Sequence, residues 1–198
     1  MTLQELTQKV LEDLPPEDHF NEADAACFAE HRELMANWGA ELVQRFYDSL
    51  YGHGKTAQVF GDGERSAREQ TLVDWYTRTL QGPFDLDYWE WQALVGVLHL
   101  RRGVSNPMML GHWGLVLNFM NEKVREDLSE AQAQRLLEAW QRLGATVGAL
   151  IAESYNSYYL KALEHSAGAT RELLERLVRQ EVDDLVNDAR EQRLLRGQ

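Results

Sequence analysis

Apolar residues recur at intervals of three and four along most of the chain, which is the spacing of one face of an α-helix. The first stripe follows a capping-box sequence at residues 2–5. It ends before Pro15 and Pro16, because proline lacks an amide donor and clashes with the preceding turn. The pattern predicts a short accessory helix at the N-terminus, and its apolar face is made of Leu3, Leu6, Val10 and Leu11.

A second apolar stripe starts after Asn21, a residue type that caps helices, and runs to residue 50. Gly39 lies within it and predicts a bend that divides the stripe into two helices. Gly52 and Gly54 end the stripe, and we expect His53 between them to be exposed to solvent. Later stripes predict helices over about 64–80, from Asp85 to Gly103, from Pro107 to about 124, over about 129–163 and over 170–195.

Composition narrows the class of protein. Sparse, well-separated glycine and proline residues and a hydrophobic fraction of 44% favour an all-α protein built from long helices. A net charge of −12 disfavours nucleic acid and anionic membranes as partners, because both would repel the chain. We find neither a signal peptide nor an apolar run approaching ~18 residues, and we therefore expect a cytoplasmic protein. A break at residues 166–169 is expected to separate a main domain, 1–165, from a helical tail, 166–198.

Sequence motifs of several enzyme classes are absent. The single cysteine, Cys27, excludes an internal disulfide. The chain has no glycine-rich phosphate loop and no C-x-x-C, H-E-x-x-H or G-x-S-x-G motif. Serine-hydrolase and metallohydrolase chemistry is therefore not expected.

The stretch from 94 to 113 reads LVGVLHLRRGVSNPMMLGHW and holds the candidate chemistry. His99 follows an apolar helical run and comes just before Arg101 and Arg102. One interpretation is a core histidine that is hydrogen-bonded to a carbonyl; the other is an axial haem ligand, since neutral imidazole is the commonest metal ligand. The arginines fit either a solvated helix end or a pair with a haem propionate. His112, in the next helix, is a rival ligand.

This stretch resembles the proximal segment of the globin-coupled sensors and protoglobins. In that family the haem-binding histidine lies in an H-x-R-x-G-[LV] sequence, followed by a proline and a helix with an early glycine. The present chain departs from the pattern by having Met108 and Met109 where aromatic residues are expected, and by one extra residue before Pro107. The residues that match are His99, Arg101, Gly103, Val104, Pro107, Gly111 and Trp113.

The resemblance implies an all-α globin fold of the 3-over-3 type, with an extra N-terminal helix and a C-terminal amphipathic helix. It implies haem b, iron protoporphyrin IX, as the cofactor and His99 as the iron ligand, whereas His112 matches no ligand position of the family. The pair Phe46-Tyr47 is implied to place the tyrosine hydroxyl over the open face of the haem. A hydroxyl there stabilises O2 more than CO, because bound O2 carries more negative charge.

Several expected haem contacts have a second interpretation. Thr71 aligns with a distal-pocket threonine of the family, but a threonine within a helix usually bonds to a backbone carbonyl. Leu72 and Trp75 either contact the porphyrin or belong to the core. Residues 88, 92, 95 and 99 share one stripe at helical spacing, which we expect to face the haem. The expected cofactor contacts are Phe46, Tyr47, Thr71, Leu72, Trp75, Tyr88, Gln92, Val95, His99, Arg101 and Val104.

The function implied by the resemblance is gas sensing, with O2 foremost and CO and NO as further ligands, rather than catalysis. Binding would move the helix of His99 and reset a homodimer interface formed by the last two globin helices. With no output domain in the sequence, the signal would pass to a partner protein through the tail helix. The alternatives are a haem enzyme, such as a nitric oxide dioxygenase or peroxidase, and a haem-free signalling module. The lack of a reductase module and of a distal histidine disfavours the first, and the presence of His99 disfavours the second.

Overall fold

The computed structural model describes residues 1–191, which are helical throughout apart from short connections and contain no β-strand. The all-α class predicted from the sequence is confirmed. The last residues of the predicted tail helix, 192–195, lie outside the described part of the chain. The helices there are α1 Leu3–Asp13, α2 Glu22–Glu30, α3 Arg32–Gly52, α4 Gly54–Ala57, α5 Arg65–Gln81, α6 Leu86–Arg102, α7 Asn106–Asp127, α8 Glu130–Ala167 and α9 Arg171–Glu191.

Side-chain caps that the sequence predicts lie at the starts of α1, α2 and α6. The Thr2 hydroxyl accepts a hydrogen bond from the amide of residue 5 at 3.2 Å, and the Asn21 side-chain oxygen accepts one from the amide of residue 23 at 2.9 Å. The Asp85 carboxylate accepts from the amide of residue 88 at 3.0 Å, and Pro107 lies in the first turn of α7. Each cap satisfies an amide that the helix itself leaves unpaired.

The second apolar stripe does divide into two helices, but the prediction that it breaks at Gly39 is wrong. The break is at His31, which leaves helical geometry with φ −104° and ψ 11° while its amide still donates to the Cys27 carbonyl oxygen at 3.2 Å. Gly39 lies inside α3, where its missing side chain admits the ring of Tyr76 from α5. A Cβ built at Gly39 would lie 3.3 Å from that ring, closer than most real contacts. The Tyr76 hydroxyl donates to the Met35 carbonyl oxygen at 2.7 Å, which joins α5 to α3.

The described residues form two compact units, Met1–Tyr155 and a second that begins at Asn156. The core of the first unit lies along α8, where Trp140 is fully buried. Its indole ring lies 4.9 Å from the ring of Phe28 in α2 and 6.2 Å from that of Tyr76 in α5. Burial of each large apolar side chain stabilises a fold by ~1.5–3 kcal/mol. The contacts of Trp140 therefore hold together α2, α5 and α8, which are distant in sequence.

Helix α6 crosses α8 at very short range. A Cβ built at Gly96 would lie 2.3 Å from the Ile151 carbonyl oxygen, a distance that real Cβ atoms do not reach. The Ser154 hydroxyl donates to the Ala93 carbonyl oxygen at 2.7 Å and joins the two helices beside the crossing. Because His99 is three residues after Gly96 on the same helix, this contact fixes the position from which the histidine side chain projects.

The second unit, as far as residue 191, contains the end of α8 and helix α9. Gly168 has a left-handed φ of +62°, which ends α8, and the Thr170 hydroxyl accepts from the amide of residue 173 at 3.3 Å to cap α9. Apolar side chains of α9 are exposed, among them Leu177 at 51% and Leu185 at 67%. Among the residues described, no helix is both long and apolar enough to cross a membrane.

Candidate functional site

A cavity of about 430 Å³ opens in the first unit between α3, α5, α6, α7 and α8. Its walls are mainly apolar, and its volume is in the usual range for small-molecule and cofactor sites. Of the residues expected from the sequence to contact a cofactor, all except Tyr88 line this cavity. They are Phe46, Tyr47, Thr71, Leu72, Trp75, Gln92, Val95, His99, Arg101 and Val104.

His99 lies in the last turn of α6, just before Gly103 ends the helix with a left-handed φ of +73°. Burial lowers the pKa of His99 to about 4, so its imidazole is neutral at physiological pH. Its Nδ1 atom is buried without a hydrogen-bond partner, and among the described residues no carbonyl oxygen accepts from either ring nitrogen. The structure therefore does not support the interpretation of His99 as a core histidine that is hydrogen-bonded to a carbonyl oxygen. A neutral imidazole with free nitrogens is the form that binds metal ions.

Tyr47 projects from α3 into the gap between α3 and α5. It is only 6% exposed, and its hydroxyl donates to the Arg68 carbonyl oxygen at 2.6 Å. Burial raises the pKa of Tyr47 to about 12, so the hydroxyl keeps its proton at physiological pH. Tyr47 is thus a permanent donor at the cavity wall, although its one proton is already shared with a backbone carbonyl.

Thr71, the other candidate donor, lines the same cavity from α5. Its hydroxyl donates to the carbonyl oxygen of Ala67, four residues earlier, at 3.0 Å. This is the backbone bond that a helical threonine commonly forms. The neighbouring Trp75 donates from its indole nitrogen to the side-chain oxygen of Gln92 at 3.2 Å, which ties α5 to α6 at the cavity wall.

Tyr88 does not line the cavity, so the structure does not support the cofactor contact expected for it from the sequence. It is fully buried in the core, where its hydroxyl lies 2.9 Å from the Thr79 hydroxyl oxygen. Its ring makes edge contacts with the rings of Phe84 at 4.9 Å and Trp89 at 4.8 Å between centroids. Its neighbours on the same stripe, Gln92 and those after it, are the ones that reach the cavity.

Two arginines follow His99 and line the cavity, and they differ in their partners. Arg102 donates to the Glu64 carboxylate at 3.2 Å, so it already has an ion-pair partner within the protein. Arg101 has no ion-pair partner among the described residues, and it is exposed. Its guanidinium is therefore available to a carboxylate at the cavity mouth.

The structure also brings to the cavity residues that sequence reasoning did not assign to it. Val147 and Ile151 of α8 line it, although their helical spacing indicated ordinary core. His112 of α7 lines it as well, with its Nδ1 atom 2.8 Å from the Met108 carbonyl oxygen. The sequence identified His112 only as a rival ligand, because position along a helix does not show which cavity a side chain reaches.

These residues fit a haem group. The apolar walls suit a porphyrin, the neutral imidazole of His99 suits its iron, and Arg101 suits a propionate at the exposed edge. The buried, unpartnered Nδ1 of His99 is unusual in a folded protein, where buried polar atoms almost always have partners.

Comparison with known proteins agrees with this geometry. The family model named Protoglobin matches residues 19–161, which include α2 to α7 and most of α8. No curated protein matches the chain. Because the match covers well over half of the sequence and includes the whole cavity lining, the chain belongs to the protoglobin family and is a haem-binding globin.

Proposed function

We propose that the protein is a cytoplasmic gas sensor that binds O2, and also CO and NO, reversibly at a haem b held by His99. The single observation that carries this proposal is the imidazole of His99, which lines an apolar cavity and has a buried ring nitrogen without a hydrogen-bond partner among the described residues. When bound, the haem supplies an iron at which a diatomic gas coordinates. The remaining roles belong to the side chains of this chain.

Those roles follow from the contacts around the cavity. Leu72 and Trp75 of α5 offer apolar surface to the porphyrin, and Arg101 offers a guanidinium to a propionate. Tyr47 offers the hydroxyl that favours a polar ligand such as O2 over CO. To serve a gas ligand, this hydroxyl turns away from the Arg68 carbonyl, so the net gain is smaller than that of a free donor.

The close crossing of α6 and α8 supports a route for the signal. A shift of His99 moves α6, and α6 has no free space against the backbone of α8 at Gly96. We propose that α7 and α8, the last two globin helices, form a homodimer interface that responds to this shift. Leu110 of α7, which is 53% exposed beside Gly148 of α8, is the apolar residue that we place in this interface.

The exposed apolar side chains of α9 support a role in passing the signal to a downstream protein. Leu177 and Leu185 lie on a helix whose opposite face is strongly charged, a pattern typical of helices that dock on a partner. In this proposal α9 is the output segment and the cavity is the input site.

The experiment is reconstitution of the full chain with haem, followed by absorption spectroscopy of the reduced protein before and after CO. We expect a stoichiometric Soret band that shifts with CO, and a loss of stable haem binding in His99→Ala. His165→Ala is the matched control, because His165 is exposed and its Nδ1 atom is bonded to the Lys161 carbonyl oxygen at 3.0 Å. A full Soret band in His99→Ala, or none in the unmodified protein, would contradict the proposal.

A further inference from the structure

Residues 53–64, which we call the cover segment, connect α3 to α5 and form part of the cavity wall. Thr56, Val59 and Phe60 of this segment line the cavity, whereas most of its other residues are exposed. The ring of Phe60 lies 5.2 Å from the ring of Tyr51 on α3, between centroids. A single layer of chain with little regular structure thus separates this side of the cavity from solvent.

The charged residues at the edge of the cavity are distributed unevenly. Within the described part of the chain, three arginines and no carboxylate line the cavity, although the sequence has 32 acidic residues and 20 lysines and arginines. Two of the three, Arg68 and Arg102, share a carboxylate from outside the lining, because Oε2 of Glu64 lies 3.8 Å from Nε of Arg68 and 3.2 Å from Nη1 of Arg102. These side chains are between 28% and 37% exposed, which places them where the cavity meets solvent.

The bond from Glu64 to Arg102 joins two elements that the chain does not otherwise hold side by side at this point. Glu64 is the last residue of the cover segment, and Arg102 is the last residue of α6. The next residue, Arg65, donates to the Asp48 carboxylate at 2.6 Å and so ties the same end of the segment to α3. If the bond to Arg102 opens, the cover segment stays attached to α3 and separates from α6.

Glycines at both ends of the cover segment allow such a separation. Gly52 and Gly54 lie at its start, and Gly61 and Gly63 lie near its end. A Cβ built at Gly54 would meet no atom within 4 Å, so close packing does not require a glycine there. Gly63 has a left-handed φ of +75°, which favours glycine. Segments that move as lids commonly have small residues at the positions that absorb the change in backbone angles.

We infer that the ion pair between Glu64 and Arg102 holds the cover segment against α6, and that haem enters and leaves the cavity where this pair opens. The inference rests on the haem site proposed above. A hydrogen bond from Arg102 lowers the pKa of Glu64, so its carboxylate is charged at physiological pH. Glu64 does not line the cavity, and its role is to position the wall rather than to contact haem.

The size of the effect follows from the exposure of the pair. Water and salt screen a partly exposed ion pair, so its loss changes a rate by severalfold rather than by orders of magnitude. We expect Glu64→Gln to speed the loss of haem by roughly threefold to fivefold. Since Glu64 acts on the wall and not on the iron, the Soret band of the bound haem and its shift with CO stay unchanged in this variant.

The experiment uses the full chain reconstituted with haem and measures the rate at which haem passes to an excess of apomyoglobin. Glu122→Gln is the matched control, because it removes the same charge from a pair with Arg45, at 2.8 and 2.9 Å, that joins α3 to α7 outside the cavity lining. We expect haem loss from this control at the rate of the unmodified protein. In an Arg102→Gln background, Glu64→Gln should add little, because its partner is already gone.

A second measurement follows the cover segment without haem. Lys55 is exposed and is the only lysine or arginine in residues 53–64, so trypsin can cleave the segment there. Cleavage within α4 requires local opening, and its rate reports how often the segment opens. We expect haem-free Glu64→Gln to be cleaved at Lys55 faster than the unmodified protein, and Glu122→Gln to be cleaved at the unmodified rate.

The outcomes separate this inference from the proposed function. If Glu64→Gln loses haem no faster than Glu122→Gln, or is cleaved at Lys55 no faster, the ion pair does not hold the cover segment and haem binding is left intact. An undiminished effect of Glu64→Gln in the Arg102→Gln background likewise overturns the inference. Absence of a Soret band in the unmodified protein overturns both the haem site and its cover. Circular dichroism of each variant shows that its fold is kept.

Discussion

Tyr47 has one proton to donate, and in the structure it goes to the Arg68 carbonyl oxygen at 2.6 Å. A gas ligand in the cavity competes with that carbonyl for the same hydroxyl. In the proposed function, the stabilisation that Tyr47 would give to bound O2 is therefore a difference between two hydrogen bonds. For a ligand with partial negative charge, this difference is on the order of 1 kcal/mol.

Replacing this hydroxyl tests its role directly. We expect Tyr47→Phe to raise the dissociation rate of O2 by roughly fivefold to tenfold, because about 1 kcal/mol of stabilisation is lost. The dissociation rate of CO changes less, since CO carries little charge. Stopped-flow measurement on the reconstituted protein gives both rates.

The control for Tyr47→Phe is Thr71→Val. Unlike the buried Tyr47, Thr71 is exposed to solvent, and its hydroxyl is bonded to the Ala67 carbonyl oxygen, so we expect its removal to leave the O2 rate nearly unchanged. If O2 instead dissociates faster from Thr71→Val and at an unchanged rate from Tyr47→Phe, then Thr71 is the distal donor.

For single residues, the sequence predicts which face of a helix a side chain occupies better than it predicts how far along the helix the cavity extends. Tyr88, Gln92, Val95 and His99 do lie on one stripe of α6, and the last three line the cavity. Tyr88 is eleven residues from His99, or about 16 Å along the helix axis, which takes it past the cavity and into the core. The cavity position of His112 carried no comparable signal, because the sequence does not show that α6 and α7 line the same cavity.

Helix α6 owes its position to a residue without a side chain. Gly96 allows the backbones of α6 and α8 to touch, and a Cβ there would lie 2.1 Å from the Ser154 hydroxyl oxygen and 2.3 Å from the Ile151 carbonyl oxygen. Backbone atoms cannot rotate away as a flexible side chain can. The crossing thus sets the distance between α6, which carries His99, and the α8 residues Val147 and Ile151 that line the cavity.

We therefore expect Gly96→Ala to destabilise the protein, even though alanine is the better helix former. Relief of the overlap requires the two helices to separate, which costs about 1–3 kcal/mol or more in the free energy of unfolding. Urea denaturation followed by circular dichroism measures this loss. Haem affinity falls with it, because α6 carries His99.

Gly114→Ala is the matched control on α7. A Cβ at Gly114 meets no atom within 4 Å, so the substitution gains helix propensity without a clash. We expect the free energy of unfolding to rise by up to about 1 kcal/mol. Equal effects of the two substitutions would show that the crossing at Gly96 yields more easily than its distances indicate.

Helices as elements were largely predictable, because their caps and apolar periods are local properties of the sequence. The caps at Thr2, Asn21 and Asp85 confirm this. The break at His31 was missed, since its residue type does not distinguish it from its helical neighbours, whereas Gly39 suggested a bend that tertiary contact with Tyr76 overrides. The short helix α4 was also missed, as four residues are too few to show a period.

A partly buried ion pair joins two helices of the first unit that are distant in sequence. Arg142 of α8 donates from Nε to Oδ2 of Asp24 at 2.8 Å and from Nη2 to Oδ1 at 2.6 Å, so α2 is joined to α8 over 118 residues of sequence. Beside it, the amide of Phe20 donates to the Thr146 hydroxyl at 3.0 Å. Through these bonds the N-terminal helices brace the part of α8 that leads to the cavity residues Val147 and Ile151.

The pair between Asp24 and Arg142 gives a prediction for the stability of the molecule. Asp24 is only 2% exposed, and its carboxylate also accepts from the Asn21 amide at 3.1 Å in the cap of α2. Removing this carboxylate leaves a partly buried guanidinium without its partner. We expect Asp24→Ala to lower the free energy of unfolding by about 3 kcal/mol, measured by urea denaturation.

Glu30 and Arg135 provide the comparison, because they join the same two helices with an N–O distance of 3.0 Å but with side chains that are 50% and 58% exposed. Water and salt screen such a pair, so Glu30→Ala should cost no more than about 1 kcal/mol. Adding Arg142→Met to Asp24→Ala should recover part of the larger loss, since the unpaired charge is then removed as well. If Asp24→Ala lowers the free energy of unfolding no more than Glu30→Ala does, the ion pair does not hold α2 against α8. The contact between the rings of Phe28 and Trp140 is then the interaction that joins the two helices.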